Sequence, residues 1–304
     1  MEDQESLIEL YNNRLSYKEI ARKLGKTIGS VKSAIYRLQK QGGLKDHKVK
    51  APKIFIFDIE TSTILVRIFN LKNGGYISPK NVDKDWFVIC WAGRWLNSKK
   101  VLSDVVTPRE ARKRNDKRVC QSLWHIFNEA DILVAHNGDR FDIKRMNSRW
   151  KFHKFNPPLP YRTYDTLKEH RKAFGSTSHS LDFIAKQMKI DAKLQTGFQL
   201  WVDCENGDQK ALDMMDRYCK HDIKIGEAVY LDIRRWSSSG VNYGLYTELH
   251  VSVCPRCGGS VTEENKIVTT AANAYTSYRC NDCGHTGRTK KSTLKKEQRA
   301  KLIP

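Results

Sequence analysis

The stretch Lys53-Ile-Phe-Ile-Phe57-Asp58-Ile59-Glu60-Thr61 decides how the rest of the chain is read. Its first five residues hold no interior Gly or Pro and predict a strand. Successive side chains on a strand point to opposite faces, so Asp58 and Glu60 share one face while Ile59 packs on the other. Two neighbouring carboxylates repel unless cations neutralise them. Hard divalent cations such as Mg²⁺ take oxygen ligands of this kind. Taken alone, the pair also reads as two solvated acids at a strand end.

Further carboxylates lie downstream. Ile132-Leu-Val-Ala-His-Asn137 is a strand running into a loop, followed by Gly138-Asp139-Arg140-Phe141-Asp142. Asp142 falls at the start of the next helix, where its charge suits the positive helix end. Tyr218-Cys-Lys-His-Asp222 lies on a long helix predicted from about Asp208 to Trp236. Tyr218 and Asp222 are one turn apart on one face, so a carboxylate and a proton-handling phenol aim at one point. Between these segments the sequence predicts a second apolar strand at Ile64–Leu71, a turn at Asn73-Gly-Gly75 and a third strand at Trp86–Leu96. Helices follow at Val119–Ala130 and Asp139–Trp150, around a short strand at Asp131–Ala135. A three-strand antiparallel meander followed by alternating helices and strands implies an α/β mixed sheet flanked by helices.

The segments FDIET, AHNGDRFD and YCKHD resemble the three exonuclease motifs of the DnaQ-like (DEDD) superfamily, which has an RNase H-like fold. They look closest to the exonuclease domain of family B DNA polymerases and its stand-alone relatives, over about residues 51–240. Tyr218 stands four residues before Asp222, as in the DEDDy subclass; the DEDDh subclass needs His five residues before, where this chain has Arg217. The resemblance implies that Asp58, Glu60, Asp142 and Asp222 hold two Mg²⁺ or Mn²⁺ ions ~4 Å apart on the phosphodiester. It makes Tyr218 the residue that orients or helps deprotonate the attacking water, and it puts Thr61 and Asn137 near the terminal nucleotide. The implied activity is 3′→5′ hydrolysis of nucleic acid, with DNA favoured and RNA open.

Residues 1–45 carry a helix–turn–helix pattern. Ser16 and Glu19 form a capping box, and Tyr17, Ile20, Ala21 and Leu24 recur at helical spacing. Gly25 breaks that helix, Thr27 caps the next, and Ile28, Val31, Ile35 and Leu38 form its apolar stripe. This resembles a homeodomain-like helix–turn–helix, whose second helix enters the major groove. Gly29, Ser30, Lys32, Ser33 and Arg37 would face outward, with Lys32 and Arg37 as its DNA contacts; a helical bundle that only packs on a neighbour is the alternative. Gly42 to Pro52 reads as a linker.

Near the other end, Cys254-Pro-Arg-Cys257-Gly and Cys280-Asn-Asp-Cys283-Gly present two pairs of thiolates. Four thiolates make a closed tetrahedral Zn²⁺ site, structural and not catalytic. The module looks like a zinc ribbon over residues 250–287, with hairpin strands at Lys266–Thr270 and Ala274–Arg279. Cys90, Cys120, Cys204 and Cys219 are scattered and read as buried apolar residues. A basic tail is expected over 288–304.

The formal net charge is +20. A chain this basic usually meets a polyanion, and nucleic acid is the commonest. No apolar stretch is long enough to span a bilayer, and residues Met1–Ser6 carry no signal-peptide pattern, so a cytoplasmic location is expected. Arg109–Arg118 holds six basic residues in ten, read as a solvated helix surface or a phosphate contact. Asp165 reads as a cap, His179 as an exposed loop residue, Phe141 as core, and Phe198 and Trp201 as packing or base-stacking residues. Too few residues follow position 240 for a polymerase domain, so any proofreading would need a replication or repair partner. A non-catalytic DNA-binding regulator on the same scaffold, or an RNA-directed or structure-specific nuclease, is the alternative.

Overall fold

A computed structural model describes residues 2–12, 15, 17–40, 51–70, 76–190, 196–238, 240–246 and 252–302. The chain divides into two compact units, Lys53–Val241 and a second comprising Met1–Pro52 with Asn242–Pro304. The capping residue Ser16, the Asn73–Gly75 turn and most of the 42–52 linker lie outside the described residues.

The larger unit is built on β1 (Ile54–Thr61). The hairpin pair β2 (Leu65–Val66) and β3 (Val82–Lys84) stands apart as its own sheet, and β4 (Val88–Trp95) and β5 (Leu102–Val105) follow. Next come α4 (Pro108–Arg112), α5 (Lys117–Glu129), β6 (Ile132–Ala135), α6 (Asp142–Phe152), β7 (Arg162–Asp165), α7 (Thr166–Ala173), α8 (Leu181–Gln187), α9 (Gln199–Glu205) and α10 (Gln209–Ile233). The sheet order is β5-β4-β1-β6-β7. β1 pairs antiparallel with β4 and parallel with β6, which makes the sheet mixed and β1 central.

The expected meander is therefore wrong in one strand. β1 pairs directly with β4, and among the described residues of the Ile64–Leu71 run only Leu65 and Val66 lie on a strand, paired with β3. The described residues of the run include no buried side chain, and Ile64, Leu65 and Phe69 are exposed. Apolar composition alone does not place a strand in the core when no neighbouring edge is available to it.

Parity along β1 divides the packing. Phe57 meets Phe127 of α5 edge-on at 5.0 Å, while Ile56 lies beneath α10 at Gly226. Opposite β1, the Phe55 ring lies across Gly93, where a Cβ would come within 2.3 Å of it; Trp91 and Trp95 flank the ring. Any side chain at position 93 would push this aromatic cluster off the sheet.

In the second unit, α1 (Glu2–Asn12), α2 (Tyr17–Lys23) and α3 (Ile28–Lys40) surround a small core of Leu7, Tyr11, Ile20, Ala21, Val31, Ile35 and Leu38. Gly25 (φ 62) follows α2, and Thr27 Oγ1 accepts from the Ser30 amide at 3.1 Å, as its capping role requires. Ile28 departs from the expected stripe: it is 43% exposed at the first position of α3. The same unit holds β8 (Val261–Thr270), β9 (Asn273–Cys280) and β10 (Thr286–Ser292) in the order β10-β9-β8, followed by α11 (Lys296–Arg299). Residues 288–292, expected in a free tail, instead lie on β10, which pairs with β9. Among the described residues no helix is long and apolar enough to cross a membrane.

Candidate active site

β1, β6 and β7 run parallel, and the chain leaves all three at the same edge of the sheet, where open α/β sheets place their ligands. Asp58 and Glu60 sit at that edge of β1. Asp222 comes from α10, and one oxygen of each of the three carboxylates lies within 4.8 Å of the others. Asp58 and Glu60 are partly buried, and Asp222 is 3% exposed. The Cys219 thiol donates to the Asp58 carbonyl at 3.6 Å, tying α10 to β1 beside the cluster. Tyr218 is also buried on α10, and Trp201 of α9 meets its ring edge-on at 6.1 Å.

Asp142 stands outside the three-carboxylate group. It begins α6, as expected, and its Oδ1 accepts from the Ile59 amide at 3.2 Å. Burial, and then the charge of Asp58, push its carboxyl well above the ordinary range. That is the electrostatic signature of acids gathered without a counter-charge. A cleft of about 20 Å³, room for one water, reaches the cluster between Asp58, Asp222, His136, Thr166 and Gly226.

The remaining expectations separate cleanly. Thr61 closes β1 at a register shift beside Glu60. Asn137 takes a left-handed conformation (φ 68), and its amide donates to Asp165 Oδ1 at 3.0 Å. Asp165 also caps α7, accepting from Leu167 and Lys168, so it is a structural cap. Phe141 is partly buried against the core. His179 is not a freely exposed residue: its ring meets His170 at 2.7 Å and its carbonyl meets the His136 ring at 3.0 Å. Trp201 packs against the core, whereas Phe198 is 71% exposed.

Five of the six basic residues in the Arg109–Arg118 run are exposed, as the solvated-surface reading expects, and Arg114 is the exception. Arg118 pairs with Asp104 and Glu110. Arg114, at φ 51, turns inward. Its guanidinium donates to Glu205 (2.9 Å), Ser62 Oγ (3.0 Å), Thr63 O (2.7 Å) and Asp85 O (2.9 Å). Glu205 Oε1 in turn accepts from the amide and hydroxyl of Thr63, each at 2.7 Å. This clamp holds the chain just beyond the carboxylate pair. Its sole trace in the sequence is an arginine within a run of like charges, so spacing could not reveal it.

A third polar cluster joins Asp116, Cys120 and His153. It does not suit a metal, because Arg149 donates to both Asp116 oxygens at 2.6 and 2.7 Å. Burial alone would push the Asp116 carboxyl up; Arg149, the Val88 amide and His153 together hold it below its ordinary value.

In the other unit, Cys254, Cys257, Cys280 and Cys283 converge with all four sulfurs within 4.8 Å. Cys254 and Cys283 lie 3.7 Å apart, and Cys257 and Cys280 3.5 Å. A disulfide needs about 2.05 Å, whereas a tetrahedral zinc with ~2.3 Å bonds separates its sulfurs by about 3.8 Å. Gly258 (φ 77) and Gly284 (φ 76) each follow a Cys-x-x-Cys pair in the left-handed conformation that aims the knuckle at one centre. Burial above all pushes the Cys283 thiol up to about 11. The scattered cysteines Cys90, Cys120, Cys204 and Cys219 are buried, as expected.

Residues 84–232 match the RNase_H_2 family, of the RNase H superfamily, and residues 2–40 match Sigma-70, region 4. The chain thus carries an RNase H-like domain and an N-terminal helix–turn–helix region. The matched stretch takes in Asp142, Tyr218 and Asp222 and leaves Asp58 and Glu60 outside it. No curated protein matches the chain. Among solved structures, the family B DNA polymerase of the hyperthermophilic archaeon Pyrobaculum calidifontis is similar, at 16% identity and a TM-score of 0.44. The similarity covers 64% of this chain and 27% of that one, so the chain spans about a quarter of that polymerase's length.

Proposed function

We propose that residues 51–240 form a metal-dependent 3′→5′ exonuclease acting on nucleic acid, DNA in preference. One observation carries the reading: carboxylate oxygens of Asp58, Glu60 and Asp222, from two separate elements, converge within 4.8 Å at the strand edge. The all-oxygen donor set and the raised carboxyl of Asp142 fit hard divalent cations, Mg²⁺ or Mn²⁺. Asp58, Glu60, Asp222 and Asp142 would hold two such ions, which supply Lewis-acid charge against the scissile phosphate.

The chain's own groups do the rest. Tyr218 orients the attacking water through its hydroxyl, because a phenol of ordinary pKa about 10 hydrogen-bonds better than it accepts a proton at neutral pH. Trp201 fixes the phenol ring, and Thr61 and Asn137 line the approach of the terminal nucleotide. In the second unit, Cys254, Cys257, Cys280 and Cys283 hold one structural Zn²⁺, and Lys32 and Arg37 on the exposed side of α3 contact the DNA backbone.

The test compares linear and circular single-stranded DNA, with a matched RNA, in Mg²⁺ and in chelator. Loss of the linear DNA from its 3′ end in Mg²⁺ alone, with the circle spared, is expected. Cutting of the circle at the linear rate would replace the exonuclease with an endonuclease.

A further inference from the structure

Residues 62–87 separate β1 from β4, although the two are direct antiparallel partners. A turn of about two to five residues usually closes such a pair. Here the chain leaves the sheet, forms a stalk and returns. Leu65 pairs with Lys84 and Val66 with Val82, and the Arg67 amide donates to the Asn81 carbonyl at 2.9 Å. Beyond the stalk Phe69 is fully exposed and Tyr76 is 74% exposed. Ile64, Leu65, Ile77 and Val82 are exposed as well. A soluble surface gains nothing from aromatic rings placed in water, so a patch of this kind marks a contact.

The base of this arm is rigid. Ser62 and Phe87 exchange hydrogen bonds, the Ser62 amide to the Phe87 carbonyl and the Phe87 amide to Ser62 Oγ, both at 2.9 Å. The Arg114 clamp grips both ends at once, Ser62 and Thr63 on the outgoing chain and Asp85 on the returning one. Thr63 lies three residues past Glu60. Anything resting on the arm is therefore held in register with the carboxylate cluster. Phe69 lies nine residues past Glu60, within about 30 Å even if the chain were fully extended.

We propose that the arm is a rest for single-stranded nucleic acid, on which Phe69 and Tyr76 stack bases while Arg67, Lys80 and Lys84 meet the phosphates. Aromatic rings spaced among cations suit an unpaired strand, because every base offers a ring face and every linkage a charge. The sequence of residues 62–87 holds four cations and two acids; one of the acids, Asp83, is already paired with Arg67 at 3.3 Å. The inference rests on the nuclease reading for its purpose, but the binding it describes is measured separately.

The test uses the full chain and the Phe69→Ala/Tyr76→Ala double variant, with Phe69→Trp as the conservative control. Binding is followed by anisotropy in chelator, where no cleavage intervenes. The ligands are a single strand of about 15 nucleotides, the same strand with its bases removed, and a duplex. The double variant should bind the normal strand at least about 30-fold more weakly, since each of two stacked bases contributes about 1–3 kcal/mol. It should bind the abasic strand and the duplex as the parent does, and Phe69→Trp should bind the normal strand as tightly as the parent. In Mg²⁺ the variant should still degrade a trinucleotide at the parent rate. Unchanged affinity for the normal strand would overturn the proposal. So would a change in oligomeric state on size exclusion without any change in strand binding, which would assign the patch to a second copy. If the parent binds strands through these rings yet never cleaves them, the nuclease reading fails and the rest stands.

Discussion

The chain has two sites that gather like ligands, and they are built in opposite ways. The four thiols lie within residues 254–283 and come from two knuckles of the same small sheet. The carboxylates span residues 58–222 and depend on a central strand, the start of one helix and the middle of another. At the thiol site all four sulfurs lie within 4.8 Å of one another, a donor set that suits a closed tetrahedral metal with no open position. The carboxylate site is reached by a cleft and strains the fold, since Asp142 is buried beside the charge of Asp58. On the proposed reading, a structural metal at the thiols would repay its site in folding energy, whereas a catalytic one at the carboxylates would require acids held together at the expense of stability.

The largest expected effect breaks the first half of that comparison. Removing zinc with a strong chelator, or substituting Cys280→Ser, should unfold the ribbon, because structural zinc contributes on the order of 10 kcal/mol. The unit spanning Lys53–Val241 should keep its own thermal transition. Thiol labelling with and without chelator measures this: Cys254, Cys257, Cys280 and Cys283 should become reactive together while Cys90, Cys120, Cys204 and Cys219 stay protected.

The next effect has the opposite sign. The folded Asp142 carboxyl titrates above its ordinary value of 3.8. Below that value it is protonated in both the folded and the unfolded chain and costs nothing. As pH rises, the unfolded chain ionises first, so metal-free protein should lose stability from above pH 3.8 up through the folded-state titration. Asp142→Asn keeps the acceptor for the Ile59 amide and removes the charge. It should stabilise the metal-free protein at neutral pH by about 1–3 kcal/mol and flatten that pH dependence. Denaturant midpoints across pH, in chelator, provide the check; a variant less stable than the parent at neutral pH would contradict the strain.

These two sites also differ in how far they could be read beforehand. The cysteine cluster was legible because its chemistry is local: two Cys-x-x-Cys-Gly knuckles carry their own geometry. Asp58, Glu60 and Asp222 were legible because strand and helix periodicity puts each on a definite face. What no periodicity encodes is pairing between distant groups. The Arg114–Glu205–Thr63 clamp joins positions 91 and 142 residues apart, and the Asp116–Arg149 pair fills a buried space that the sequence does not outline. Ile64–Leu71 misled because an apolar run reads as a core strand whether it faces the interior or carries an exposed arm.

The smallest expected effect concerns α3. Lys32→Ala and Arg37→Ala should each lower the salt dependence of duplex binding by about one contact and leave degradation of short single strands unchanged. Titrations at several salt concentrations would show it; a matching loss of cleavage rate would mean that α3 also serves the carboxylate site.

The central claim is that the carboxylates at the end of β1 and on α10 act together on a 3′ terminus. Its most direct test is a single-stranded DNA labelled at its 3′ nucleotide, incubated in Mg²⁺ with the parent chain and with Asp58→Asn/Asp222→Asn. The parent should release labelled mononucleotide from the first time point. The double variant should fold normally and release it at least about 1,000-fold more slowly, equivalent to about 4 kcal/mol of lost transition-state stabilisation. Release at the parent rate by the folded double variant would contradict the account.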